Sequence, residues 1–364
     1  MSPSTVTILK SPPMKGGDDE YSYTKNSTFQ KETISIAKEI IDEEIAHKLD
    51  IKGLLSATSS SSFRIADLGC SVGPNTFIAM ENVIEAVKHK YQSQGLTSQI
   101  PEFQVFFNDQ DSNDFNTLLR SLPHKSPYFA AGVAGSFHAR LFPKSSLHFI
   151  HASHALHWLS QVPNEVVDKN SAAWNKGRIF YTTAPEEVRK AYAAQFAKDV
   201  EMFLDARAKE LVAGGMLVLI IGSFRNGISP SRTLASVLFD ILESTLLDMA
   251  KEGLISEAQV DSFNLPIYFT SPDEMEHIIE KNGCFKIERT ELFNPESVVK
   301  ATLSGQACTM HFRAGFEGML GNHFGSEIID ELFYRHSKKA EEFSSRLQAS
   351  SNEGNQLFLA LKRK

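Results

Sequence analysis

The run Phe63-Arg64-Ile65-Ala66-Asp67-Leu68-Gly69-Cys70-Ser71-Val72-Gly73-Pro74-Asn75 constrains the fold more than any other segment of the chain. A short apolar strand ends in an acid and passes into a glycine turn that opens a helix. Gly69 and Gly73 have no Cβ, so the turn can be tight and a ligand can lie against its backbone, while Asn75 can cap the following helix. That helix carries Phe77, Met80, Val83, Ile84, Val87 and Tyr91, an apolar stripe with a period of about 3.6 residues. The arrangement predicts a nucleotide-type cofactor site. Its spacing is Gly-x-x-x-Gly, not the Gly-x-Gly-x-x-Gly of dinucleotide folds, and no Gly-Lys-Ser/Thr follows, which argues against NAD and ATP. Taken alone, the motif fits an ordinary βα turn equally well.

Further strand-like runs at 64–68, 103–107, 147–151, 178–182 and 216–221, mostly separated by helical patterns, predict an α/β fold with a mostly parallel doubly wound sheet. An arm over 1–22 precedes an amphipathic helix over 27–49, with Ile34, Ala37, Ile41, Ile45 and Leu49 on one face, and the Ser-rich stretch 56–62 is expected as a surface linker. After Gly222 the pattern becomes helical, near 231–252, 272–282 and 301–345. The expected organisation is an α/β domain over 23–225, a mainly helical cap over 226–345, and a strand over 346–364 returning to the sheet. The cap would cover the carboxyl edge, where open α/β sheets bind ligands.

A chain of 364 residues with 42% hydrophobic content can bury a large core, and its net charge of -7 argues against nucleic acid and anionic membranes as partners. Cys70, Cys284 and Cys308 are scattered and odd in number. With no apolar leader and no long apolar run, they predict a cytosolic protein.

Two further segments carry chemistry. The strand ending Phe106-Phe107-Asn108-Asp109-Gln110 places Asp109 where an acid can accept hydrogen bonds from a ribose diol. Asp111 and Asp114 read better as turn and capping residues. In Leu147-His148-Phe149-Ile150-His151-Ala152-Ser153-His154-Ala155-Leu156-His157-Trp158, four histidines recur at steps of three. His148 and His151 fall on a strand, where an odd step puts them on opposite faces, and His154 and His157 lie beyond its end, so the four do not converge as a zinc site would require. His157 and Trp158 are expected to line a pocket, where Trp158 offers a flat apolar wall and one N–H donor.

Taken together, Met14-Lys15-Gly16-Gly17, Ser22-Tyr23-x-x-Asn26-Ser27-x-x-Gln30, the glycine turn through Thr76, Phe107-Asn108-Asp109, Asn113-Asp114-Phe115-Asn116, Gly135-Ser136-Phe137, His157-Trp158-Leu159-Ser160 and the closing Leu361-Lys362-Arg363-Lys364 resemble the plant SABATH methyltransferases. This family includes carboxyl methyltransferases of salicylate, benzoate, jasmonate and loganate, together with xanthine N-methyltransferases of the caffeine pathway. The resemblance spans essentially the whole chain. It implies a Rossmann-like class I methyltransferase fold, S-adenosylmethionine as cofactor, a small carboxylic acid as substrate and a homodimer.

Residue by residue, the resemblance implies that Tyr23, Ser27, Asp67, Gly69, Cys70, Asn75, Asp109, Gln110, Ser136 and Phe137 surround the cofactor. Gln30 and Trp158 would hold the substrate carboxylate through neutral N–H donors. No general base would be needed, because an ionised carboxylate is already a nucleophile at neutral pH. The protein would supply in-line positioning and exclusion of water. Similarity to a magnesium-like site in several members points to Asn175, Asp261, the Phe263 carbonyl and Asn264, an all-oxygen set suited to a hard cation. His154, His157, Leu238, Phe239, His311, Phe312 and Phe316 would line the substrate pocket. Several segments look closest to the loganate branch, yet Phe239, His311, His154 and Gln110 depart from the residues expected there. A xanthine N-methyltransferase and a non-catalytic small-acid binding protein are the alternatives.

Overall fold

The computed structural model describes residues 13–56, 62–295, 304–353 and 355–364. Its strands are β1 (Ser62–Leu68), β2 (Glu102–Asp109), β3 (Phe129–Ala134), β4 (Leu147–Ser153), β5 (Leu211–Ser223), β6 (Phe285–Phe293) and β7 (Asn355–Arg363). The helices in the first half are α1 (Tyr23–Asn26), α2 (Thr28–Lys48), α3 (Ile51–Ser56), α4 (Pro74–Ser93), α5 (Phe115–Arg120), α6 (Asn164–Val167) and α7 (Glu186–Glu210). The second half adds α8 (Leu234–Lys251), α9 (Glu257–Ser262), α10 (Pro272–Asn282), α11 (Gly305–Phe324), α12 (Ile329–Glu342) and α13 (Ser344–Ser351).

Among the described residues one seven-stranded sheet runs in the order β3-β2-β1-β4-β5-β7-β6, with β1 to β5 parallel and β7 antiparallel to both neighbours. Alternation along the strands feeds two cores. Phe63 and Ile65 of β1 face the layer of α2 and α4, while Ala66 and Leu68 face the layer of α7 and α8. The expected face of α2, Ile34, Ala37, Ile41, Ile45 and Leu49, is buried throughout. The order reverses between β1 and β4, and this switch point opens a crevice at the carboxyl ends of the strands.

Several expectations change. Residues 178–182 form no strand; Ile179, Phe180 and Tyr181 are buried in an irregular segment. There Glu243 accepts the Ile179 N–H at 3.0 Å and Leu265 donates to the Ile179 carbonyl at 2.8 Å, while β5 takes the place beside β4. The strands β3 and β6 were not anticipated. The span 226–345 therefore contains β6 and the α10 that packs on α7 and β6, in addition to cap helices. The returning strand starts at Asn355, not 346, because α13 occupies 344–351. Of the arm, residues 13–22 are docked: the Lys15 N–H donates to the Ala314 carbonyl at 3.0 Å and the Tyr23 N–H to the Lys15 carbonyl at 2.9 Å. Residues 1–12 and the serines of 57–61 lie outside the described residues. Among those described, no helix is long and apolar enough to cross a membrane.

Candidate active site

A cavity of about 1320 Å³ lies over the switch point, between the sheet's carboxyl edge and the helices α2, α8 and α11. Sites for one small ligand usually span roughly 300–1,000 Å³, so this one has room for two molecules side by side.

Its floor is the glycine turn. Gly69 has φ +80°, and a Cβ there would meet the Ala155 Cβ at 2.5 Å, so the turn requires glycine twice over. Ser71 takes a second left-handed conformation at φ 53°. Asn108 stitches the turn to the sheet: its carbonyl accepts the N–H groups of Gly69 (2.8 Å) and Cys70 (3.0 Å), and its amide donates to the carbonyls of Val133 and Gly135. Gly73 keeps an ordinary φ of -96° and serves as the N-cap of α4 ahead of Pro74. Asn75 therefore does not cap the helix; it lies inside the first turn, and its amide donates to the carbonyl (3.1 Å) and hydroxyl (3.0 Å) of Ser27.

Asp109, at the end of β2, borders the cavity and accepts from the Ser71 N–H and the Gln110 N–H, both at 2.8 Å, one on each oxygen. Each oxygen keeps a lone pair for a ligand hydroxyl. Burial pushes this carboxyl up to about 6. Asp67 is buried beneath the turn, bonded to His151 Nδ1 at 2.8 Å and to the Thr76 hydroxyl. Of the expected cofactor residues, Tyr23, Gly69, Asp109, Gln110, Ser136 and Phe137 line the cavity. Ser27, Asp67, Cys70 and Asn75 stand behind its wall as buried supports. Asn75 and Ser27 bond to each other, and Asp67 bonds to His151 and Thr76.

All nine expected substrate residues, Gln30, His154, His157, Trp158, Leu238, Phe239, His311, Phe312 and Phe316, line the same cavity. Trp158 is held by a bridge to Ile267 and packs, tilted by 33°, against Phe316 with ring centres 5.4 Å apart. The Gln30 side-chain oxygen is buried without a protein partner. The histidine run separates. His148 accepts the Arg64 N–H, His151 pairs with Asp67, and His154 and His157 turn into the cavity after β4 ends at Ser153. Burial drives His154 down to about 3 and His157 to about 4, and it lowers His311, whose Nδ1 meets the Asn26 carbonyl at 2.7 Å. All three are neutral imidazoles at physiological pH. Among the described lining residues the only lysine or arginine is Lys25, which is exposed. The substrate half therefore offers neutral donors and aromatic walls.

Sequence reasoning missed Phe29, which meets His154 and His311 edge-on, and Phe269, which stacks on His157 at 5.9 Å. Only their place beside a motif, Gln30 for one and Asp261 to Pro266 for the other, hinted at them.

The Asn175–Asp261–Phe263–Asn264 set does not form an open oxygen cage. The Asn175 amide donates to Asn264 Oδ1 at 2.7 Å, and Asp261 Oδ1 accepts the Gly177 N–H at 2.8 Å. Asn175 Oδ1 alone is a buried oxygen without a partner. Among the described residues no cluster of three or more His, Cys, Asp or Glu side chains could hold a metal ion.

Comparison with known proteins agrees with this geometry. The family described as "SAM dependent carboxyl methyltransferase" matches residues 10–364. A loganic acid O-methyltransferase of Catharanthus roseus is 47% identical over 363 residues, covering 100% of this chain and 97% of that protein. A farnesoic acid carboxyl-O-methyltransferase of Arabidopsis thaliana is 40% identical, covering 96% of this chain and 98% of that one. The solved structure of a loganic acid methyltransferase with SAH superposes with a TM-score of 0.92 at 47% identity, over 97% of this chain and 99% of that chain. With the Gly69 turn, Asp109 and a cavity of this size in one α/β fold, the chain belongs to the SABATH family of S-adenosylmethionine-dependent carboxyl methyltransferases.

Proposed function

We propose that this enzyme forms the methyl ester of a small plant carboxylic acid held by Gln30 and Trp158, with direct in-line transfer and no general base. The observation that carries this reading is a single cavity lined by Asp109 and the Gly69 turn together with the neutral donors of Gln30 and Trp158, and with no buried lysine or arginine among its described lining residues. S-adenosylmethionine, when bound, supplies a methyl group already activated on a sulfonium. Asp109 would accept the ribose hydroxyls, Ser136 and Phe137 would flank the base, and Tyr23 and Gln110 would close the same end. A buried Arg or Lys at the carboxylate would stabilise the charged ground state more than the charge-dispersed transition state, which makes the neutral pair Gln30 and Trp158 the better catalyst. Their task is to hold a carboxylate oxygen in line at about 3–3.5 Å from the methyl carbon.

The aromatic wall of Phe239, Phe312 and Phe316, with His154, His157, Leu238 and His311, suits an acid whose body is largely apolar with one or two hydrogen-bonding groups. Asn175, Asp261, Phe263 and Asn264 would hold a structural Mg2+ only after the bonds to Asn264 and Asp261 rearrange, so chelation is expected to leave turnover unchanged. The cytosolic location and homodimer rest on the reduced-thiol reading and the family resemblance; sedimentation of the purified protein tests the latter.

The deciding experiment incubates the protein with methyl-labelled S-adenosylmethionine and a panel of acids, including loganate, farnesoate, jasmonate, benzoate and salicylate, alongside xanthines. Label in a base-labile ester is expected. Label retained on a ring nitrogen after mild base would replace this reading with the xanthine one. Acid binding without transfer to any member would favour a binding protein.

A further inference from the structure

The crossover from β3 to β4, residues 135–146, contains no helix, so its backbone groups must find partners elsewhere. Arg207 and Glu210, one turn apart at the end of α7, supply four of them, and both side chains are fully buried. Arg207 Nε donates to Glu210 Oε2 at 2.6 Å, Nη1 to the Phe137 carbonyl at 2.7 Å and Nη2 to the Ala139 carbonyl at 2.9 Å. Glu210 Oε1 accepts the N–H groups of Leu141 at 2.5 Å and Phe142 at 3.0 Å. A buried ion pair is costly unless its remaining hydrogen-bonding capacity is met, and here one short stretch of loop meets it from both sides.

Phe137 begins that stretch. Its ring lies 3.8 Å from where a Cβ on Gly69 would stand, so it faces the cofactor turn directly. Phe203 of α7 supports the ring edge-on at 6.1 Å and itself carries the Arg207 guanidinium at 5.1 Å. The loop is also tied to the ribose-side acid, because the Gly135 N–H donates to the Asp109 carbonyl at 2.9 Å.

The geometry points to Arg207 and Glu210 as a positioning clasp for the cofactor: by fixing the backbone of 137–142, the pair sets where the Phe137 ring stands. This rests on the proposal that Phe137 flanks the cofactor. The clasp itself bonds only to the loop backbone, and the loop reaches the substrate half at one point, where His138 hydrogen-bonds the Trp158 backbone, so the larger effect falls on cofactor affinity and the smaller on the acid's KM.

The test measures S-adenosylhomocysteine affinity by calorimetry for the parent, Arg207→Lys, Phe137→Ala and the double variant, with folding checked by circular dichroism. A lysine keeps the charge but cannot reach three acceptors. Arg207→Lys is expected to weaken binding about tenfold, and the loss is expected to shrink toward nothing in the Phe137→Ala background, the coupling that shared action through one ring produces. Should Arg207→Lys not fold, Glu210→Gln takes its place in the cycle. A folded clasp variant that binds like the parent, or losses that simply multiply with Phe137→Ala, overturns the clasp. Unchanged binding by Phe137→Ala alone would instead show that Phe137 is not at the cofactor, which separates failure of that reading from failure of the clasp.

Discussion

Asn75 joins Ser27 by two hydrogen bonds from one amide, at 3.1 Å to the carbonyl and 3.0 Å to the hydroxyl, across 48 positions of sequence. The contact pins the α1–α2 junction to the first turn of α4. Tyr23 and Gln30, on either side of that junction, both line the cavity, and the proposed roles put the first with the cofactor and the second with the acid.

Asn75→Ala should therefore weaken both ligands together. The Ser27 carbonyl would keep the Lys31 N–H, but the buried hydroxyl would lose its partner, at a cost of about 1–3 kcal/mol. We expect a lower melting temperature and a rise in both the S-adenosylhomocysteine Kd and the acid KM. A change in only one of the two constants would show that the junction does not couple the ends.

Trp158→Phe keeps the wall against Phe316 and removes the indole N–H. Hydrogen bonds to charged groups contribute about 1.5–3 kcal/mol, so kcat/KM for the acid should fall about 10- to 100-fold. S-adenosylhomocysteine affinity should stay within about twofold, since Trp158 lies in the other half of the cavity. Gln30→Glu, which sets a like charge against the carboxylate, should cost more. Unaltered kinetics in the phenylalanine variant would remove Trp158 from the carboxylate site.

Burial raises Asp109 to about 6. A folded value above the unfolded one means that its proton favours folding: this contribution is complete below the unfolded pKa of about 3.9 and is lost as pH rises through about 6. Hydroxyls that donate to the carboxylate favour its ionised form. Binding of S-adenosylhomocysteine should thus be tighter at pH 7.5 than at pH 5.5, and Asp109→Asn should weaken it and flatten the dependence. Equal affinity at both pH values would place the ribose elsewhere.

Four histidines carry the opposite sign. Burial, first among the causes, lowers His148, His157 and His336 to about 4 and His154 to about 3. Their contribution to stability is complete above the unfolded pKa of about 6.5 and is lost as pH falls toward their folded values, by up to about 1.4 kcal/mol per pH unit for each. Urea unfolding should show a clear decline from pH 7.5 to pH 6, because the loss from four imidazoles outweighs the partial offset from Asp109, which is half protonated at about 6. The pH profile of kcat should show no ionisation from these groups between pH 5 and 8. A stability flat across the upper window would mean that these imidazoles take up protons in the folded state.

Much of the site was legible along the chain because its parts are local. The Asp67–Asn75 turn needs glycine at Gly69, where the backbone goes left-handed at φ +80° and the Ala155 side chain leaves no room for a Cβ. Asp109 follows its strand directly, and the buried stripe of α2 repeats with the helical period. The strands β3 and β6 left little signal. Phe-Ala-Ala-Gly-Val-Ala is short, small and half-exposed at a sheet edge, and Phe285–Phe293 is mostly half-buried and mixes charges with apolar residues. The run 178–182 misled for the converse reason: burial alone makes a segment apolar, whether it is a strand or a loop.

Residue chemistry within short windows was thus enough to specify the α/β pattern, the glycine turn and the strand-end acid Asp109, while the resemblance to a family pointed to the residues that line the cavity. The fold alone decided that Asn75 serves Ser27, that His151 goes to Asp67 while His154 enters the cavity, and that Arg207 and Glu210 hold the loop of Phe137. Those relationships join positions tens of residues apart, and a hydrogen bond depends on distance and angle in space, which sequence spacing does not encode.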